Sequence, residues 1–490
     1  MFDPTDANRC LAFLEAIAAD PIALAKVDLP VRKGILTAAG RLSRPSRDEH
    51  RARRKANRKE KVSKVQDADD ALLHSTGIRT ARRMPAFITP KNFLPAPEAP
   101  PIGDLHEARK CYVCKAEFQQ LHHFYDQMCP PCAEFNWRKR YQTADLRGRT
   151  ALVTGARLKI GYQAAIMLLR AGARVVVVTR FPHDAARRYA DEADFAEWSN
   201  RLSIHGLDLR HTPSVELFAQ HLLQVEERLD FILHNACQTV RRPVAFYAHL
   251  DAPESTPFAA LPAAQQAILA DYEKLRCSPR HQHLASGLVA PAQLAQSAVT
   301  PEDRMLSNRV DIFPAGMLDQ DQQQVDLRTI NSWRLKLADV STVELLEVQL
   351  VNSIAPFVLT ARLKPLMLRH PSRDKHLVNV SAMEGQFNRG HKTDKHPHTN
   401  MAKAALNMMT RTSAQDFVAD GIHMNSVDTG WVTDEDPVAI AERKVEEHGF
   451  HPPLDIVDGA ARICDPIFTG INTQEHIWGQ FLKDYVSVPW

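Results

Sequence analysis

The stretch "TALVTGARLKIGYQAAIMLLRAGARVVVVTR", residues 150–180, decides the fold. It opens and closes on short, almost uniformly apolar runs, and between them apolar residues recur at helical spacing through "GYQAAIMLLRAG". A strand that is apolar on both faces belongs in a parallel sheet covered by helices on both sides, because only there is neither face wet. Further along, "LDFILHNA" (229–236), "HLVNVSA" (376–382) and "IHMNSVD" (422–428) repeat the pattern between amphipathic segments. The expectation is an α/β domain over residues 146–490, a doubly wound Rossmann-type parallel sheet.

In such a sheet the turn from the first strand into its helix suits a pyrophosphate, since free N–H groups at the helix start face a negative charge. Here the turn reads Thr154, Gly155, then Lys159, Ile160 and Gly161, with "LDLR" (207–210) after the third strand and "HNA" (234–236) after the fourth. In this order the motifs resemble the short-chain dehydrogenase/reductase family, over roughly residues 146–490. The resemblance implies that Gly155 and Gly161 let the backbone approach a dinucleotide cofactor, that Asp208 holds its adenine end, and that Asn235 lines the wall. Lys159 stands where the family has its middle glycine. Its side chain would crowd the pyrophosphate, bind a phosphate with its ammonium, or face solvent on a remodelled turn. The second strand ends in "VVVVTRFP", without an acid to accept a ribose 2′-hydroxyl. Arg180 suits a 2′-phosphate, so NADP(H) is expected over NAD(H); the alternative is a surface arginine with no such role.

The family's catalytic set is a helix Asn, a Ser, and a Tyr followed four residues later by a Lys. The resemblance implies Asn352, in "VQLVNSIAPFVLT" (348–360), as holder of a water relay, and Lys403, in "HTNMAKAAL" (398–406), as ribose ligand. Residues i and i+4 share one helix face, so phenol and ammonium would meet in one pocket. Two roles are vacant here. The serine position falls on Ala382, beside Ser381, and the tyrosine position falls on Thr399. A phenol of pKa ~10 can be drawn toward working pH by an ammonium, for a gain of roughly 10² to 10⁴ in rate, whereas an aliphatic alcohol is far too weak an acid. After the next strand, in "NSVDTGW" (425–431), Thr429 stands where the family's proline is expected, with Asp428 before it. Substitutes for the missing acid include Glu384, His391, Asp394, His396 and His398 in "EGQFNRGHKTDKHPHT" (384–399), against the plainer reading of a solvated loop.

Between Asn235 and Asn352 lie 116 residues. A long insertion, about 243–330, is therefore expected beside the cofactor cleft, where it could lid the site, supply Tyr247 or Tyr272 as an acid, bind a partner protein, or simply pack. Ahead of the α/β domain, "CYVCKAEFQQLHHFYDQMCPPC" (111–132) places Cys111 and Cys114 in one tight pair and Cys129 and Cys132 in another. Two such knuckles complete a tetrahedral sulfur shell, which points to structural Zn²⁺ with no position left for an activated water; His122 and His123 are then bystanders. Residues 105–142 are read as this small module, 84–104 as a Pro-rich linker, and 1–83 as a helical region. Within the last, "RPSRDEHRARRKANRKEKVSK" (44–64) carries ten Lys/Arg against three Asp/Glu. It has no aromatic residue for base stacking, so nucleic acid is not expected and a solvated helix face is.

The chain is long enough for two to four domains, and its other cysteines (Cys10, Cys237, Cys277, Cys464) are scattered, which suits a reducing compartment. No apolar run approaches the roughly 20 residues of a membrane span, and "MFDPTDANRC" lacks a basic and an apolar signal region, so a cytoplasmic protein is expected. Two functional expectations follow. One is an NADP(H)-binding member of this lineage that has lost standard redox chemistry and serves as a sensor, scaffold or partner-binding module. The other is an NADP(H)-dependent oxidoreductase with a non-standard proton donor. Family resemblance implies a homo-dimer or tetramer in either case.

Overall fold

The computed structural model describes residues 4–20, 22–91, 98–278, 285–307, 309–390 and 392–490. His391 and residues 92–97 of the expected linker lie outside these. The chain divides into two compact units, Met1–Leu72 and Leu73–Trp490. The first is helical, with helices Pro4–Ala19 and Leu29–Ser43 followed by the start of Arg47–Ser75, which carries the basic block on an exposed surface.

The second unit opens with a hairpin, β1 (Gly103–Lys110) and β2 (Glu117–Leu121), and the helix Pro130–Arg140. An eight-stranded sheet follows: β3 (Thr150–Thr154), β4 (Arg174–Thr179), β5 (Leu202–Gly206), β6 (Phe231–His234), β7 (Lys375–Ser381), β8 (Ile422–Asp428), β9 (Phe481–Lys483) and β10 (Val486–Val488). Its order is β10-β9-β8-β7-β6-β3-β4-β5, parallel from β5 to β9 with β10 antiparallel at the edge. Strand order therefore reverses between β3 and β6, and ligands of doubly wound sheets bind at that crevice.

Alternation along the buried strands builds two cores. Ala151, Val153, Val175 and Val177 face the helices Lys159–Arg170 and Ile456–Thr473, while Leu152, Val176 and Ile232 face Thr212–Val225 and Ala355–Leu368. The helical run Thr342–Leu368 is long and apolar enough to cross a membrane by length and composition, a run missed in the sequence; its Leu359, Leu363, Leu366 and Met367 are buried against the sheet.

Two expected segments turn out to be built into the same unit. The linker residues before 92 are pinned to the α/β body, with Phe87 N donating to Gln320 O (2.9 Å) and Thr89 Oγ1 to Glu192 (2.6 Å). The described part of the insertion is mostly short helices, of which Ala263–Arg276 packs beside β5. There Tyr272 bonds Leu288 O, at the far edge of the sheet from Lys403, so it is a packing residue and no acid for the site.

Candidate functional site

A cavity of about 350 Å³ lies over the crevice between β3 and β6. Gly155, Lys159, Ile160, Gly161, Arg180, Asp208 and Asn235 all line it. Thr154 sits beneath, its hydroxyl accepting from Ala236 N (3.0 Å). The glycines are required by close packing. A Cβ on Gly161 would lie 2.2 Å from Asn235 Nδ2, and one on Gly155, at φ +68°, 2.7 Å from Ala236 Cα. Asn235 in turn donates to the carbonyls of Thr154 and Gly155, at 3.2 and 3.1 Å, tying the turn to β6.

Lys159, at the position of the family's middle glycine, has a left-handed backbone, at φ +57°. Burial works against its ammonium, but Glu435, Asp321 and Asp319 outweigh that and raise its pKa. The remodelled turn thus presents a cation held among carboxylates, two of them from the insertion. Arg180 donates to Tyr247 Oη at 2.8 Å and lies 5.0 Å above that ring. Tyr247 therefore walls the Arg180 end of the cavity and does not reach the catalytic positions. Arg157, which also lines the cavity, meets Asp184 at 2.6 Å, a carboxylate that also binds Arg187 and Arg188.

Asp208 lines the cavity beside Arg210. Both its oxygens are taken by Arg210, at distances down to 2.6 Å, and although burial pushes its carboxyl up, that pair holds it below the usual range. It shapes the wall with its oxygens already engaged.

The other half of the site differs. Ser381, Thr399, Lys403 and His398 are 1–4% exposed, and none lines the cavity. Lys403, expected to bind a ribose, donates from Nζ to Val380 O at 2.7 Å. The hydroxyls of Ser381 and Thr399 are buried with no hydrogen-bond partner among the described residues. His398 turns toward Glu344, with 3.4 Å between Nε2 and Oε1. Burial raises the Glu344 carboxyl, and the contacts of His398 and Ser332 outweigh it and leave it lowered. Asn352 sits in one wide turn, Leu350–Ile354, that interrupts the helical run; such turns recur at functional sites. Its side chain clamps the backbone of Gln238, accepting from N at 2.7 Å and donating to O at 3.3 Å, and is thus occupied in positioning the loop after β6.

A strap after the insertion, residues 331–339, closes this half. Asn331 donates to Glu435 O, Ser332 accepts from Arg241 N, and Arg334 pairs with Asp436 at 2.6 Å. Trp333 stacks on His396 at 3.8 Å, and His396 N donates to Leu335 O, so the strap is pinned to the start of the helix Pro397–Ala419 that carries Thr399 and Lys403. Burial, with His398 nearby, lowers the His396 pKa to about 4, so this ring is neutral at ordinary pH. Asp394 is engaged with Lys336 on the surface, and the carbonyl of Glu384 accepts from Lys392. Sequence reading missed the strap, because its partners, Arg241, His396, Glu435 and Asp436, lie far from it along the chain.

The four cysteines also converge. All Sγ atoms lie within 4.8 Å of one another, with Cys114 and Cys129 3.6 Å apart, and a tetrahedral metal with bonds of about 2.3 Å needs thiolates about 3.8 Å apart. The cluster could hold a metal ion. Its module packs on the N-terminus of Ile456–Thr473: Arg140 binds Asp455 by two bonds of 2.6 and 2.7 Å and Asp458 at 3.1 Å, and Tyr125 Oη donates to Asp458 at 2.5 Å.

Two family models match in chain order: one described as short chain dehydrogenase over residues 149–254, and one described as Enoyl-(Acyl carrier protein) reductase over 330–450. Uncharacterized protein R665 of Acanthamoeba polyphaga mimivirus is 32% identical over 386 residues, 76% of this chain and 74% of its own length. Dehydrogenase/reductase SDR family member 13 of Bos taurus is 38% identical over 122 residues, 23% of this chain and 29% of that protein. Among solved structures, the NADP active-site complex of Pseudomonas aeruginosa RhlG superposes with TM-score 0.43 at 18% identity, covering 69% of this chain and 95% of that one.

Proposed function

The chain belongs to the short-chain dehydrogenase/reductase superfamily, and from that premise we propose that it binds a dinucleotide, NADP(H) in preference to NAD(H), and acts as a nucleotide-responsive sensor or partner-binding module without the family's hydride chemistry. One observation carries this reading: the cavity is open where pyrophosphate and adenine would lie, whereas Ser381, Thr399 and Lys403 are buried outside it. Gly155, Gly161 and the helix start at Lys159 would receive the pyrophosphate, and Arg180, fixed by Tyr247, would meet the 2′-phosphate. The bound nucleotide would supply redox chemistry only with an acid at position 399, and a threonine hydroxyl does not provide one.

The cysteine cluster is read as a structural zinc site, its four thiolates filling the tetrahedral shell. None of the eight cysteines is paired in a disulfide, which suits the cytoplasm. A second reading, an oxidoreductase with a non-standard donor, is favoured by the unpartnered hydroxyls of Ser381 and Thr399 beside Lys403, since buried polar atoms are ordinarily satisfied.

The test is a fluorescence titration with NADPH and NADH, followed by turnover across a panel of carbonyl compounds. NADPH is expected to bind more tightly, with no turnover. Failure to bind either nucleotide would overturn the proposal, and turnover that disappears in Lys403→Ala would replace it with the second reading.

A further inference from the structure

Tyr112 lies inside the first cysteine knuckle, between Cys111 and Cys114, yet its hydroxyl serves the other end of the molecule's chemistry. Trp431 N donates to Tyr112 Oη at 3.0 Å. The approach depends on Gly430, which holds φ +77° and whose Cβ would lie 3.2 Å from that hydroxyl and 2.4 Å from Leu454 Cδ1. Tyr112 is itself held from behind, its N donating to Gln127 O at 2.8 Å, while Cys111 N donates to Ala116 O at 2.8 Å. The knuckle thus fixes the phenol, and the phenol fixes the start of the loop after β8.

That loop reaches the nucleotide cavity two residues later. Thr433 and Glu435 line it, Thr433 Oγ1 donates to Glu435 at 2.7 Å, and Glu435 is the foremost of the carboxylates that support the Lys159 ammonium. Arg82, which precedes the hairpin, grips the same loop system through the carbonyls of Leu454 (2.6 Å), Pro452 (3.1 Å) and Val432 (3.4 Å). Contacts therefore lead from the sulfur cluster through Tyr112 and Trp431 to the loop of Thr433 and Glu435, which lines the same cavity as Lys159 of the glycine turn.

We propose that Tyr112 is a positioning residue of the nucleotide pocket, through which metal held by the four cysteines and nucleotide held at the glycine turn strengthen each other's binding. The inference rests on the reading of the cavity as an NADP(H) site and of the cluster as a zinc site. A knuckle without metal has no reason to keep its thiolates together, and the phenol then loses its fixed place; the loop carrying Glu435 is freed with it. Because coupling between sites is reciprocal, nucleotide must hold zinc by the same factor that zinc holds nucleotide.

Two measurements test this on the full chain. In the wild type, saturating NADPH is expected to reduce transfer of Zn²⁺ to a chromophoric chelator at equilibrium by about 3- to 10-fold, the scale of one hydrogen bond. Tyr112→Phe keeps the ring and all four cysteines. It is expected to retain one zinc per chain, to bind NADPH about 3- to 10-fold more weakly, and to lose the NADPH effect on zinc transfer. A merely structural role would lower the melting temperature and leave the zinc and nucleotide equilibria unlinked. Zinc transfer in the wild type that ignores NADPH, or wild-type affinity in Tyr112→Phe, would overturn the proposal while leaving the nucleotide site standing; no NADPH binding by the wild type would overturn both.

Discussion

The two halves of the cleft are made by the same fold from residues of the same lineage, and they have parted company. In the nucleotide half nearly every polar group is engaged and the centre is open: Asn235 ties the glycine turn, Arg180 rests on Tyr247, and Asp184 gathers three arginines. In the catalytic half the cleft is shut and the polar atoms of Ser381 and Thr399 are idle. The difference teaches that keeping a family residue is not keeping its role. Lys403 and Asn352 survive as backbone clamps, on Val380 O and on Gln238, and those duties alone would preserve them.

The sharpest way to break the comparison is to damage the engaged half. Asp184→Ala leaves Arg157 buried beside the cavity with no carboxylate, and breaking a buried pair in this way costs about 3–5 kcal/mol. Denaturant unfolding should register that loss together with weakened NADPH binding; a change below about 1 kcal/mol would mean the cluster is not a rigid wall. Next comes the insertion's own support for this half. Glu254 accepts from His183 N and Asp184 N at the start of the helix Pro182–Ala190, and burial, only partly offset by those bonds, pushes its pKa up to about 7. Folded Glu254 therefore holds its proton more tightly than the unfolded chain does. Its contribution is fully present below about pH 4.5 and is lost as pH rises through about 7, a loss of about 3 kcal/mol. Unfolding curves from pH 4 to 8 should fall with this slope in the wild type and flatten in Glu254→Gln; parallel curves would remove Glu254 from the account.

How much of this could be read beforehand follows from range of interaction. Strands such as "ARVVVVT" and the turn at Gly155 and Gly161 announce themselves because burial on both faces and left-handed backbone each leave a mark on the residues concerned. Cys111, Cys114, Cys129 and Cys132 are legible for the same reason, since a tetrahedral sulfur shell dictates their spacing. Asp208, by contrast, gives no sign in "LDLR" that Arg210 two residues on will take both its oxygens. Nor does Tyr112 show that it will meet Trp431 across 319 positions of chain. The strap at 331–339 was illegible because it is held by scattered contacts to three distant loops, and no local pattern encodes such a set.

A subtler blow to the open half is Gly161→Ala. Its Cβ would stand 2.2 Å from Asn235 Nδ2 and 2.6 Å from Gly155 O, so the turn must separate from β6 or Asn235 must leave it. Overpacking of this kind costs about 1–3 kcal/mol, and the larger consequence is expected in binding, with NADPH affinity down more than about tenfold in fluorescence titration. Near-normal affinity would show that the turn adjusts freely and that its glycine serves no close approach.

The smallest expected effect has the opposite sign, and it bears most directly on the contrast between the halves. Thr399→Val keeps the shape of a residue that is 2% exposed and removes a hydroxyl with no partner among the described residues. Burying an unpaired hydroxyl is costly, so its removal should stabilise the protein by up to about 1 kcal/mol in thermal or denaturant unfolding, with NADPH affinity unchanged. Deleting the polar groups of Asn235, Arg180 or Asp184 should instead destabilise, because each has a partner to abandon. If Thr399→Val instead lowers stability by more than about 1 kcal/mol, or weakens NADPH binding, the hydroxyl is in use by something that enters the closed half. The strap would then be a door, and the oxidoreductase reading would displace the sensor.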